Sequence, residues 1–193
     1  GIPILTVPGF EADDIMATLP GKVTDPDIEI LFVSKDKDLD QMLTERVKLF
    51  DAATAEIIGP IELRAKKGYG PEQAVEIQTL CGDSTDNVPG VKGVGPKKAA
   101  ALIAKYGTAD AVLAHADELT PAMRENVLAF GSLVDTTRKL VTLDRNVPFE
   151  FDLEACRWKG LQYTPLYEVF NEFGFRRLRE QIANRDAAVL HGL

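Results

Sequence analysis

The chain has 193 residues, 45% hydrophobic and 27% charged, a balance that suits a folded domain and excludes a disordered or collagen-like chain. Two cysteines, Cys81 and Cys156, are too few for a disulfide framework or a zinc cage, so a reducing, cytoplasmic setting is expected. No stretch approaches the ~18 apolar residues of a membrane span, and 30 acidic against 22 basic residues leave a formal charge of −8 that, taken alone, argues against a nucleic-acid partner.

In chain order, Ile4-Leu5-Thr6-Val7 reads as a short strand stopped by Pro8-Gly9. The opening Gly1-Ile2-Pro3 resembles the end of a helix running into that strand, so earlier strands are expected before residue 1. Residues 11–19 carry Ile15, Met16 and Leu19 at helical spacing and are ended by Pro20-Gly21. Residues 28–33 are β-branched and mostly apolar, which predicts a buried strand. Residues 39–43 suggest a short helix, and residues 47–50 a strand that pairs with Glu56-Ile57-Ile58. This order predicts an α/β part over residues 1–60, with a partial, parallel-type sheet and flanking helices.

Residues 61–193 read as helical. Pro71 and Pro96 sit at first helical positions, and Gly107 closes the helix that Pro96 opens. Thr108 and Thr120 look like N-caps. Residues 132–141 and 164–173 are further helices, with Tyr163, Tyr167, Phe170 and Phe173 expected in a core, and Arg176, Arg177 and Arg179 crowd the last one. His115 and His191 are isolated, which predicts surface positions without a role.

The acidic residues are not spread evenly. Seven fall in three groups: Glu11, Asp13, Asp14; Asp36, Asp38; Asp83, Asp86. Without them the remaining acids nearly balance the bases, whereas residues 87–109 hold four lysines and no acid. Glu11 and Asp14 share a helix face, Asp36 and Asp38 point the same way if the chain stays extended, and Asp83 and Asp86 belong to one turn. Both early groups are expected at strand C-terminal ends, where open α/β sheets keep their sites. If the three groups converge, so many like charges cannot all ionise without cations. An all-oxygen donor set suits Mg²⁺ or Mn²⁺. An EF-hand is excluded: Asp36-Lys37-Asp38-Leu39-Asp40 copies its opening, but Gln41 and Val47 stand where Gly and Glu are needed.

The stretch Pro89-Gly90-Val91-Lys92-Gly93-Val94-Gly95-Pro96-Lys97-Lys98 is neither a P-loop nor a dinucleotide fingerprint. It lies between two helices, its glycines permit close approach to a ligand, and Pro96 starts a helix whose free N–H groups suit a phosphate. Lys97 and Lys98 oppose the macrodipole in that helix's first turn, a placement that a bound phosphate would reverse. Gly90, Lys92, Gly93, Val94, Gly95, Lys97 and Lys98 are therefore the expected contacts to backbone phosphates, without base readout.

Three motifs together, Val7-Pro8-Gly9-Phe10-Glu11-Ala12-Asp13-Asp14, Ser34-Lys35-Asp36-Lys37-Asp38-Leu39-Asp40-Gln41-Met42-Leu43 and the run from Gly82-Asp83-Ser84-Thr85-Asp86-Asn87 to Gly95, resemble the 5′-nuclease (flap endonuclease) family, and within it the 5′→3′ exonuclease domains of bacterial DNA polymerases. The resemblance implies hydrolysis of phosphodiesters in branched, flap or nicked DNA with two divalent metals, in replication and repair. It implies that Glu11, Asp13 and Asp14 serve one metal group, and Asp36, Asp38, Asp83 and Asp86 the other. It also implies that residues 90–98 form the family's helix-three-turn-helix, which grips duplex DNA and can hold a potassium ion on its carbonyls. The family's first strand, with a catalytic Asp, a second Asp and a helical arch, has no counterpart in this chain, and polymerase domains would follow it. Two other readings stay open: a DNA-duplex-binding module without its own chemistry, and a phosphohydrolase of small molecules, which leaves the glycine-lysine hairpin without a role.

Overall fold

The computed structural model describes residues 2–190, with side chains up to residue 183; Gly1 and His191 lie outside that description. Two compact units are present, Thr6–Phe149, and Gly1–Leu5 with Glu150–Leu193.

The larger unit begins with α1 (Ala12–Lys22), then β1 (Ile30–Val33), a 3₁₀ turn (Lys37–Met42), β2 (Val47–Asp51) and β3 (Glu56–Ile58). β1 pairs with β2 in parallel, Phe32 opposite Leu49, and β2 pairs with β3 antiparallel, Phe50 opposite Ile57. The sheet is therefore mixed, in the order β1-β2-β3. Six helices follow: α2 (Pro60–Lys67), α3 (Pro71–Cys81), α4 (Pro96–Tyr106), α5 (Ala109–Ala114), α6 (Pro121–Phe130) and α7 (Val134–Val141). Proline opens α2, α3, α4 and α6, where its missing N–H has no helical partner to lose. Gly107 takes φ +92° after α4, a conformation that a side chain resists. Among the described residues no helix is long and apolar enough to cross a membrane.

Two apolar clusters hold this unit. Ala17, Phe32, Leu39, Met42, Leu43, Val47, Leu49, Leu63 and Leu143 fill the space between the sheet, α1 and α2. Ile77, Leu80, Val91, Val94, Ile103, Val112, Val127 and Phe130 form the helical one. Tyr69, half-buried, packs against both.

Several expectations are corrected. Residues 2–7 form no strand, and Ile4 is 88% exposed: an extended segment becomes a strand only where a neighbour supplies ladder hydrogen bonds. α1 runs through Pro20 to Lys22; Pro20 has no N–H to give the Met16 carbonyl, and the helix closes with the Val23 N–H on the Leu19 carbonyl at 3.1 Å. β1 is an edge strand with Leu31 and Val33 exposed; only Phe32 is buried. The helix foreseen at residues 132–141 divides into a 3₁₀ turn (Gly131–Leu133) and α7. His115, by contrast, is exposed at the end of α5 as expected, its ring stacked on Tyr106 with centroids 5.2 Å apart.

The smaller unit holds α8 (Tyr163–Glu172) and α9 (Arg176–Leu190). α8 buries no residue, with Phe173 63% and Tyr167 43% exposed, so the core expected there does not form among the described residues. Phe173 and Phe175 instead stack on one another at the turn between α8 and α9.

Candidate metal centre and nucleic-acid interface

Glu11 sits at the N-cap of α1, and Asp13 and Asp14 lie in its first turn, where the helix dipole favours negative charge. Asp36 is not on an extended strand end. It caps the 3₁₀ turn, its Oδ1 accepting the Asp38 N–H at 3.0 Å, and this folds Asp38 towards α3. There Asp38 Oδ1 accepts from Gln78 Nε2 at 2.6 Å. The first group therefore sits at a helix start with no strand before it among the described residues, and the second in a capped turn that begins just past the end of β1.

The third group rests on two glycines packed against each other. Gly82 has φ +66°, and a Cβ there would stand 2.6 Å from the Gly90 nitrogen and from the Val88 carbonyl oxygen. A Cβ on Gly90 would strike the Cys81 carbonyl. This close approach lets Asp83 and Val88 exchange both backbone hydrogen bonds, 3.0 and 2.7 Å, around a loop with Asn87 at φ +57°. Asp83 is 3% exposed and Asp86 is exposed.

All seven carboxylates line one cleft of about 760 Å³, together with Gln78, Thr85, Lys139 and Asp144. Carboxylate oxygens of Asp38, Asp83 and Asp86 lie within 4.8 Å of one another. The floor is cross-linked by distant parts of the chain: the Asp144 N–H donates to Asp14 Oδ1 at 2.7 Å, and Gln41 clamps the same strap through the Val141 carbonyl and the Leu143 N–H.

The electrostatics fit a cation site. Burial raises the Asp13 pKa, with the charges of Asp14 and Asp36 adding to it. Burial also raises that of Asp38, and Asp36 and Asp83 push it further. Asp83 goes the other way. Its burial is outweighed by the Lys37 ammonium, 2.7 Å from Oδ2, and by the Thr85 N–H, 2.8 Å from Oδ1, so its pKa is lowered. An all-oxygen, strongly anionic donor set is what hard divalent cations take.

The residues of the glycine-lysine hairpin do not all stay available. Lys92, Gly93, Gly95, Lys97 and Lys98 are exposed, with Gly95 at the N-cap of α4 and Gly93 at φ +77°. The Val94 side chain is 5% exposed inside the helical core, so only its backbone can face a ligand, and Gly90 is spent on the contact with Cys81. Lys98 turns back onto the Gly93 carbonyl at 2.9 Å.

Sequence reasoning overlooked a second hollow, about 510 Å³, lined by Lys37, Lys66, Lys67 and Lys97 over an apolar floor of Tyr69, Ala74, Ile77 and Cys81. Three of these lysines are answered by acids: Lys37 by Asp83, Lys66 by Glu56 and Lys67 by the buried Asp40. Asp40 also accepts from the Tyr69 hydroxyl at 2.8 Å. Lys66-Lys67 beside Tyr69 was a visible doublet, but nothing local ties it to Lys37 or Lys97.

Comparison with known proteins agrees with this geometry. Residues 1–68 match the family model of the 5′-3′ exonuclease N-terminal resolvase-like domain, and residues 69–164 that of the 5′-3′ exonuclease C-terminal SAM fold. DNA polymerase I of Rhizobium leguminosarum is 39% identical over 183 residues, 94% of this chain and 18% of the relative. The thermostable DNA polymerase I of Thermus thermophilus is 36% identical over 174 residues, 90% and 21% respectively. The chain thus spans about a fifth of the length of these relatives. Among solved structures, a bacteriophage T5 5′-exonuclease with bound zinc superposes with TM-score 0.67 at 25% identity, covering 74% of this chain and 53% of that one. A T5 flap endonuclease in a pseudo-enzyme–product complex with DNA and metal ions gives 0.63 at 26% identity, covering 72% and 52%. With both family models matched in sequence order across most of its length, the chain belongs to the 5′-3′ exonuclease family.

Proposed function

We propose that this chain is the carboxylate-bearing part of a metal-dependent, structure-specific 5′→3′ exonuclease and flap endonuclease acting on DNA. One observation carries the reading: seven acids from three separate stretches line a single cleft, three of them with oxygens within 4.8 Å. Asp38, Asp83 and Asp86 are the residues that would hold one divalent ion, with Asp36 beside them. Glu11, Asp13 and Asp14 would serve a second. Mg²⁺ or Mn²⁺ bound there would supply an activated water and charge stabilisation at the scissile phosphate. The protein's own part is to hold the carboxylates in place through Gln78, the Gly82–Gly90 contact and the Asp14–Asp144 link. Among the described residues no histidine lines the cleft.

The division of labour falls near residue 60. The earlier part contributes two of the acidic groups, and the later part contributes the third and the hairpin. Exposed Lys92, Lys97 and the α4 N-terminus would take phosphates of duplex DNA. The relatives' greater length is consistent with polymerase domains in the same parent chain.

The test is Mg²⁺-dependent cleavage of a 5′-flap duplex by the 193-residue chain and by the longest natural chain that contains it. Asp83→Ala and Asp86→Ala should each lower the rate at least about 10²-fold, since several kcal/mol of metal-borne stabilisation are lost. Full activity in both variants would sink the reading. Duplex binding that persists without any cleavage would leave a DNA-binding module.

A further inference from the structure

A cleft crowded with carboxylates needs positive charge, and the fold supplies some of its own. Lys37 stands between two predicted metal ligands, Asp36 and Asp38, yet its side chain crosses to the third group. Its ammonium lies 2.7 Å from Oδ2 of Asp83, a carboxylate only 3% exposed, while half of the Lys37 side chain faces solvent. Oδ1 of Asp83 is engaged by the Thr85 N–H, so both oxygens already have a donor. Asp83 is also one of the three acids whose oxygens come within 4.8 Å. A divalent ion drawn to that trio would add a second cation to the carboxylate that Lys37 already neutralises, and two cations on one carboxylate repel. Lys37 has somewhere to go, because it also walls the lysine-lined hollow on the far side of Gln78.

We infer that Lys37 is a displaceable internal counter-ion: it neutralises Asp83 until a divalent cation takes that carboxylate, and then swings into the neighbouring hollow beside Lys66, Lys67 and Lys97. The inference rests on the metal reading above and adds a positioning residue to it. It also explains how a lysine can sit inside a cation site: the salt bridge is the resting arrangement, and its loss accompanies metal loading. A purely structural Lys37, pinning the 3₁₀ turn to the Asp83 loop, makes the opposite prediction, because its removal would loosen the ligands and weaken metal binding.

The experiment is calorimetric titration of the 193-residue chain with Mn²⁺ alone, without DNA. Lys37→Met should bind Mn²⁺ roughly three- to tenfold tighter than the wild type, the equivalent of removing one competing ion pair. Lys37→Arg, which restores the competing charge, should return to wild-type affinity. Asp86→Asn serves as the separate check on the site. If it leaves Mn²⁺ binding untouched, the metal reading falls; if it weakens binding while Lys37→Met does not tighten it, only the counter-ion role falls. A second measurement needs no variant. Reductive methylation of Lys37 in the wild type, followed by mass spectrometry, should speed up several-fold on adding Mg²⁺, relative to Lys105, which is tied to Glu118. An unchanged ratio overturns the inference.

Discussion

The acidic cleft and the lysine-lined hollow adjoin through Lys37 and Gln78, and they handle charge in opposite ways. In the hollow, Lys66, Lys67 and Lys37 each have a carboxylate at 2.5–2.7 Å, and only Lys97 has no ion-pair partner among the described residues. In the cleft, acids face acids. Among the described residues Lys139 is the one basic residue in its lining, and the pKa values of Asp13 and Asp38 are raised by burial and by their neighbours' charge. Paired charge is what a fold does for its own stability; unpaired, like charge held in place is a site built for something else. The contrast marks the cleft, and not the hollow, as the place where a missing partner is most strongly implied.

The comparison can be broken most forcefully at Gly90. Gly90→Ala puts a Cβ into the Cys81 carbonyl, with backbone on both sides and no flexible side chain to yield. It should cost roughly 2–3 kcal/mol in a denaturant melt and scatter Asp83 and Asp86, so that Mn²⁺ affinity falls along with stability. Wild-type stability would show that the glycine pair is not what builds the third acidic group.

Reversing charge at the start of α4, where Lys97 lines the hollow and Lys98 stands next to it, gives a smaller effect. Lys97→Glu with Lys98→Glu should weaken duplex binding about tenfold or more at moderate salt, and flatten the log–log salt dependence by about 0.9 for each phosphate that is no longer neutralised. Fluorescence anisotropy with a labelled duplex at several salt concentrations reads both. An unchanged slope would remove these lysines from the DNA interface.

The smallest effect tests the hollow's back wall. Burial, and then the charge of Asp40 and the hydrogen bond to it, raise the Tyr69 pKa well above its ordinary 10. A folded pKa above the unfolded one means that the native state keeps its proton longer. This contribution to stability is whole below about pH 10 and is lost as pH rises further. Absorbance titration should show one of the four tyrosines ionising late. Tyr69→Phe should remove that late step and cost about 1 kcal/mol at neutral pH, the usual net worth of one hydrogen bond, because Asp40 keeps Lys67 as a partner. A normal titration of all four would contradict the buried Asp40–Tyr69 pair.

Legibility from the sequence followed the range of each interaction. The helix starts at Pro71 and Pro96, the N-cap at Thr108 and the close at Gly107 depend on a few neighbouring residues, and each stands where the pattern puts it. The strand at residues 4–7 and the core expected around Tyr167 and Phe173 failed because both depend on what packs alongside, which a local pattern does not contain. In the hairpin, the glycine-valine-lysine order indicated a close turn. It did not show that Val94 faces the core, or that Gly90 is committed to the backbone of Cys81.

What the linear order determined by itself was the inventory: three acidic groups, a glycine-lysine hairpin and family motifs in register, because residue type and short spacing are local properties. What tertiary structure alone decided was their meeting. Asp14 reaches Asp144 across 130 positions, Gln78 orients Asp38 across 40, and Lys37 leaves its own turn to pair with Asp83. Such pairings arise when apolar clusters draw distant segments together, and Coulomb forces over a few ångströms then set the charge of the cleft.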